Sequence, residues 1–322
     1  MGEDGWRQGA VGIVGTGLMG TGIAALICAA GVPVKAYDVN KEQLAELEGR
    51  VRTIVEELEA HGLSEPNVAA ELADRLEVIN GFSGFSDCVA VIEAVVEDAA
   101  VKREVYSLIE KHVGPGVLIA TNTSNIVPSD LVTGMNNPER FLVIHFWNPP
   151  HAVPLVEVVP HSGTSKEIIA RAVSLVKRIG NEPVVLNKEA AGFVGNRLQY
   201  ALLREALWIV QQGIAGPEEV DRVMTLSLGR RYAVTGPFAT ADLGGLDTFF
   251  AISNQLMPQL ASDNSPLEMM ERIVSAGNTG SKSGRGFLDW PDERIRVVIK
   301  ARNNALLQRR REERREAKEN LS

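Results

Sequence analysis

Apolar residues in the first half of the chain gather in short runs rich in β-branched side chains, set between longer stretches of mixed polar character. The runs are residues 11–14, 34–37, 88–95, 117–121, 141–144 and 155–159. Most are continuously apolar, as a parallel strand covered on both faces requires. Helical spacing fills the intervals, for example Ile23, Leu26 and Ile27. Strands alternating with helices predict an α/β fold on a doubly wound, mostly parallel sheet. Residues 41–76 read as a helix–loop–helix excursion from that sheet, broken between Gly62 and Pro66. Beyond Leu186 the strand pattern stops. Residues 193–210 are helical and apolar around most of their circumference, which predicts a helix buried on several sides, in part by a partner subunit. Pro217 opens a further helix, and Gly236-Pro237 and Gly244-Gly245 punctuate the rest. The expected organisation is a sheet domain over 1–187, an all-α domain for substrate and dimerisation over 188–290, and a charged helical tail over 291–322.

Composition narrows the function. The chain has 322 residues, room for two domains. Its net charge of −8 argues against a nucleic-acid binder, which needs a basic face. No apolar run is long enough to cross a bilayer, and residues 1–10 lack the apolar core of a secretion signal. Cys28 and Cys88 lack metal-binding spacing and read as buried thiols in a reducing compartment. The expectation is a cytoplasmic enzyme without a metal site.

Chemistry enters at Gly15-Thr16-Gly17-Leu18-Met19-Gly20, which comes after the first strand and opens a helix. Gly15 permits the tight turn, Gly17 lets a pyrophosphate reach the backbone, and Gly20 lets helix and strand pack closely. The helix start at Leu18 and Met19 supplies amide donors for the anion. Asp38, ending the second strand, stands where a carboxylate bonds the adenosine ribose and repels a 2′-phosphate. This is a Rossmann-type dinucleotide site that favours NAD over NADP, although Lys35 and Lys41 lie nearby.

A second constellation completes a reaction. His145 comes after one apolar run and Glu157 lies inside the next, so neighbouring strands hold a histidine and a carboxylate. Such a pair takes a proton from an alcohol, the carboxylate orienting the ring and steadying the imidazolium. Beside a nicotinamide it oxidises a hydroxyl group. Glu93, Asn122, Thr123 and Ser124 also fall at or just after strand ends, where ligands of such sheets bind. His61, His112, His151 and His161 have no comparable partner and read as surface or loop residues, His151 lying between the two catalytic strands.

Several further motifs stand in order: residues 91–97, Thr121-Asn122-Thr123-Ser124, His145-Phe146-Trp147-Asn148-Pro149, residues 192–197, Gly236-Pro237-Phe238, Gly245-Leu246-Asp247, and residues 282–287. With the glycine loop they make the chain resemble the L-3-hydroxyacyl-CoA dehydrogenase family, λ-crystallin branch included, over roughly residues 11–290. The resemblance implies His145 as general base for the 3-hydroxyl, Glu157 as its partner, and Ser124 and Asn196 as donors to substrate oxygens. It places Glu93 and Asn122 near the nicotinamide and Lys102 near the cofactor. It implies a short-chain 3-hydroxyacyl-CoA substrate. Departures point elsewhere: Pro154 replaces an expected lysine, residues 231–237 and 196–200 look like the λ-crystallin branch, and the 41–76 excursion is acidic. An acidic wall is a poor receptor for the phosphates of CoA, with only Arg50 and Arg52 to offset it. The alternative substrate is a free small hydroxy acid, gulonate- or carnitine-like, and a third reading is a non-catalytic dinucleotide-binding protein. The tail around residues 309–316 mixes both signs at helical spacing, which predicts a solvated helix.

Overall fold

In the computed structural model, residues 9–265 and 268–319 are described; the polar start over residues 1–8 lies outside them. By its contacts the chain forms two compact units, Gly195–Lys300 being the second, and the segment from Ala301 returns to the first.

The first unit is a single sheet. Among the described residues its strands are β1 (Ala10–Val14), β2 (Val34–Tyr37), β3 (Leu76–Val78), β4 (Cys88–Glu93), β5 (Leu118–Thr121), β6 (Phe141–Phe146), β7 (Leu155–Pro160) and β8 (Glu182–Val185). They lie in the order β3-β2-β1-β4-β5-β6-β7-β8, parallel except that β7 runs against β6. This is the doubly wound, mostly parallel sheet that the runs predict. β1, β5 and β6 are buried along their whole length, which explains why those runs carry no polar alternation.

Helices cover both faces. α1 (Leu18–Ala29), α2 (Lys41–Ala60) and α5 (Lys166–Arg178) share one core with Ile13, Ile92, Leu142 and Ile144. α3 (Ala99–Glu110) and α4 (Pro128–Leu131) pack on the other, around Phe85, Tyr106 and Phe141. Asn40, Asp98 and Ser165 cap α2, α3 and α5 by accepting from backbone amides in the first turn, a sequence-local reason for those starts. The 41–76 excursion departs from expectation: α2 is a single long helix, and after it the chain makes turns and one 3-10 turn over Leu72–Asp74. Asn67, at φ +70°, turns the chain there and a second helix does not form.

The second unit is helical: α6 (Gly195–Gln211), α7 (Pro217–Leu226), α8 (Leu228–Tyr232), α9 (Pro237–Gly244), α10 (Leu246–Leu256), α11 (Glu268–Ser275) and the start of α12 (Asp292–Glu319). Within its own unit α6 lacks the cover expected on several sides, since Leu207 is its one buried residue and Leu198, Tyr200 and Leu202 are exposed. From Ala301 onward α12 belongs to the first unit, where Leu307 joins the core beside α1 and α2. Arg309 pairs with Glu312 and Glu313, and Arg315 with Glu319, as mixed charge at helical spacing predicts. The solvated reading is nevertheless corrected, because Leu307 and Arg310 on the same helix are buried.

Candidate active site

The β6–β7 pair is the geometric centre of the chemistry. Residues 147–154 are too few for a crossover, so β7 returns antiparallel beside β6 and its register sets Glu157 directly opposite His145. His145 Nδ1 lies 2.9 Å from Glu157 Oε2, and both side chains are buried. An ionised carboxylate only accepts, so a neutral ring paired with it carries its proton on Nδ1 and its lone pair on Nε2. Glu157 Oε1 accepts from the Val194 amide at 2.9 Å, which fixes the carboxylate in turn. The rings of Trp147 and Phe193 stand 5.6 and 5.4 Å from that of His145, a hydrophobic bracket that position along the chain did not reveal.

Asn122 leaves the end of β5 and accepts from the Phe146 amide at 2.8 Å, pinning the strand end that carries His145. Thr123 and Ser124 come next: the Thr123 hydroxyl and the Ser124 amide both donate to Glu97 Oε1. Burial alone would raise the Glu97 pKa, but those bonds and the charge of Lys102 hold its carboxyl below the usual range. Glu97 therefore presents an ionised, half-exposed carboxylate beside Ser124. Sequence reading passed over it, although it closes the motif over residues 91–97.

The Glu93 carboxylate, expected near the nicotinamide, is 0 % exposed and accepts from four donors. These are the Val95 amide at 2.6 Å, Lys102 Nζ at 2.8 Å, Tyr106 Oη at 2.7 Å and Thr121 Oγ1 at 2.8 Å. Four bonds fill the lone-pair sites of a carboxylate, so Glu93 is an internal anchor. Burial first, and the Glu93 charge second, push the Tyr106 phenol far up, keeping it a proton donor. Lys102 reaches both carboxylates, 2.8 Å from Glu93 and 3.2 Å from Glu97, and so ties the buried anchor to the exposed edge.

The glycine loop has the form a dinucleotide needs. Gly15 sits at φ +91°, and a Cβ there would stand 2.7 Å from the Ala94 carbonyl. A Cβ on Gly20 would run into the Gly15 carbonyl oxygen, whereas nothing lies within 4 Å of one on Gly17. That open position faces a helix start with no side-chain cap, unlike α2, α3 and α5. Leu18 and Met19 open that first turn, Leu18 being exposed. Asp38 is held at the loop by the Thr16 amide at 2.6 Å, the Thr16 hydroxyl at 3.0 Å and the Asn40 amide at 2.9 Å. The chain's residues thus fit a dinucleotide on the loop and its ribose at Asp38.

Asn196 stands in the first turn of α6, in the second unit. Two histidines read as surface or loop residues are buried. His151 lies 3.2 Å from Glu57, and His161 bonds the Pro138 carbonyl and the Gly163 amide. Both cysteines are buried as expected, and burial pushes each thiol up to about 12. No helix among the described residues is long and apolar enough to cross a membrane, and none of their His, Cys, Asp and Glu side chains form a metal-holding group.

Comparison with known proteins extends the geometry. The model of the 3-hydroxyacyl-CoA dehydrogenase NAD-binding domain matches residues 10–190, and that of the family's C-terminal domain matches 192–290. The chain is 33% identical over 301 residues to a 5-formyl-3-hydroxy-2-methylpyridine 4-carboxylate 5-dehydrogenase of Mesorhizobium japonicum, covering 94% of this chain and 97% of that one. A solved structure of an NAD+-dependent enzyme of that name superposes with a TM-score of 0.88 at 32% identity, covering 94% and 97% of the two chains. The human λ-crystallin homolog is 36% identical over 239 residues, 73% of this chain and 74% of that protein. The (S)-3-hydroxybutyryl-CoA dehydrogenase structure from Ralstonia eutropha gives a TM-score of 0.73 at 31% identity, covering 88% and 99%.

Proposed function

The chain belongs to the 3-hydroxyacyl-CoA dehydrogenase family and binds NAD, and from that premise we propose that His145 and Glu157 carry its oxidation of a 3-hydroxyl group to a 3-oxo group. The carrying observation is the buried His145–Glu157 pair, which leaves Nε2 as a base. Nε2 takes the hydroxyl proton, and the imidazolium that results is stabilised by Glu157 while the carbinol carbon loses its hydride. The nicotinamide, when bound, accepts that hydride, so alcohol and NAD+ become ketone, NADH and a proton. Trp147 and Phe193 exclude water from the ring, and Glu97 fixes the backbone from which Ser124 meets the substrate.

The acyl carrier is the finer question. A short-chain CoA thioester fits the family chemistry, and one observation favours a free hydroxy acid. Arg50, a cation of α2, donates inward to the Thr16 and Gln43 carbonyls at 3.1 and 2.7 Å. Arg52 donates to the Ala69 carbonyl and to Glu48. Glu42, Glu46, Glu48 and Glu56 then dominate the outward charge of α2. NADH formation with L-3-hydroxybutyryl-CoA, compared with free L-3-hydroxybutyrate, L-gulonate and L-carnitine, separates the two. Turnover with the thioester alone would remove the free-acid reading, and turnover with no 3-hydroxy compound would sink both.

The second unit completes the reading as half of a homodimer. Val234, Phe238, Leu243 and Phe250 are each at least 70 % exposed, an apolar area that a soluble monomer rarely leaves uncovered. Light scattering on the purified chain should give twice the monomer mass of 34.8 kDa; a monomer at micromolar concentration would contradict it.

A further inference from the structure

The first unit also holds a cavity of about 1270 Å³ that uses no residue of the glycine loop and neither His145 nor Glu157. It opens where the ends of α1, α2 and α5 meet α12. The last turn of α1 is a helix length, roughly 18 Å, from that loop. Six arginines line it, Arg75, Arg178, Arg310, Arg311, Arg314 and Arg315, against the glutamates Glu65 and Glu312. In a chain with a net charge of −8 this excess of arginine is a local reversal of sign, and a cleft with such an excess concentrates the opposite ion.

Carboxylates offset it only in part. Arg75 pairs with Glu71 and Arg315 with Glu319, while Glu312 pairs with Arg309 outside the cavity. Among the described residues, Arg178, Arg310 and Arg314 bond only neutral oxygens: the Ala30 carbonyl; the His151 and Gly180 carbonyls with Asn181 Oδ1; and the Leu63 carbonyl. The Nε groups of Arg178 and Arg310 are buried with no hydrogen-bond partner among the described residues. Arg310 is 3 % exposed, and burial, then the positive charge of Arg314, hold its guanidinium down at about 10. Bonds to carbonyls beyond the ends of α1, α2 and α5 and in the β6–β7 loop account for Arg178, Arg310 and Arg314 as docking groups. They do not account for Arg311, which lines the same cavity, or for Arg315, whose pairing with Glu319 is exposed to solvent.

We propose that this cavity binds an organic polyphosphate of roughly nucleotide size. Guanidinium forks meet phosphate oxygens in pairs, and the excess of arginine suits several phosphate charges better than one carboxylate. Leu26, Leu58, Leu63 and Ile179 pack beneath the cavity lining, and Ala29 and Ala30 add apolar lining beside the arginines. Arg310 also holds the His151 carbonyl in the loop joining β6 to β7, so the ligand sits one side chain away from the strands of the catalytic pair.

The test is calorimetric titration of inorganic pyrophosphate into the full chain saturated with NAD, so that the glycine loop is already filled. Saturable binding is expected, weaker at higher salt and on the order of tenfold weaker in the Arg311→Gln, Arg315→Gln double variant. NAD affinity and turnover in that variant should match the parent, which reports separately on the dehydrogenase reading. No pyrophosphate binding, or binding unchanged in the double variant, would overturn the proposal; if binding appears only when the titration is repeated without NAD, the anion belongs to the glycine loop and the proposal falls as well.

Discussion

The His145→Gln variant is expected to turn over about 10²–10⁴-fold more slowly than the parent while still binding NAD, because that is what a positioned general base contributes. Glutamine keeps a polar side chain at the end of β6 and can donate to Glu157, so the strand pairing that sets the site survives. The loss then falls on the chemical step. Turnover and NADH affinity measured on the same sample separate the two effects. Turnover close to the parent's would show that the hydroxyl proton leaves to another group. A parallel loss of NADH binding would show that the substitution disturbs the fold around the cofactor.

The Lys102→Ala variant is expected to lose about 3–5 kcal/mol of stability, the cost of leaving a buried charge without its partner. Among the described residues Lys102 is the one cation bonded to Glu93, and both side chains are shielded from water. The Val95, Tyr106 and Thr121 donors remain, but they are dipoles and do not cancel the charge. Denaturant unfolding measures the loss, and adding Glu93→Gln to Lys102→Ala should restore a large part of it. If the single variant is as stable as the parent, Glu93 does not carry its charge in the folded protein.

Much of this was legible in the chain because the relevant physics is local. Continuous apolar runs announce buried parallel strands, and β1, β2 and β4 to β7 stand where those runs lie. The glycine loop and Asp38 are set by backbone geometry within one β-α-β unit. β3 and β8 left no comparable trace. β3 has three residues with only Leu76 buried, and β8 is an exposed edge strand that tolerates Pro183. Glu93 shows a different limit: its place at a strand end was readable, but Lys102, Tyr106 and Thr121 reach it from three other positions, and residue type does not reveal which way a carboxylate turns. Arg310 sits in a charge run that looks solvated, and only the fold brings the Gly180 and His151 carbonyls to it. Apolar width in α6 was equally visible, yet nothing in one chain could say that its cover is absent from its own unit.

The return of α12 to the first unit also bears on how the protein is made. Leu307 fills the core beside α1 and α2, and Arg310 closes onto residues 130 and 159 positions earlier. The nucleotide-binding half therefore emerges first from the ribosome but is finished last. At roughly 5–20 residues per second its early strands wait on the order of ten seconds or more for the closing helix. During that interval the apolar flank of α1 and α2 is open, and a nascent chain in this state is a natural client for chaperones that hold exposed hydrophobic surface.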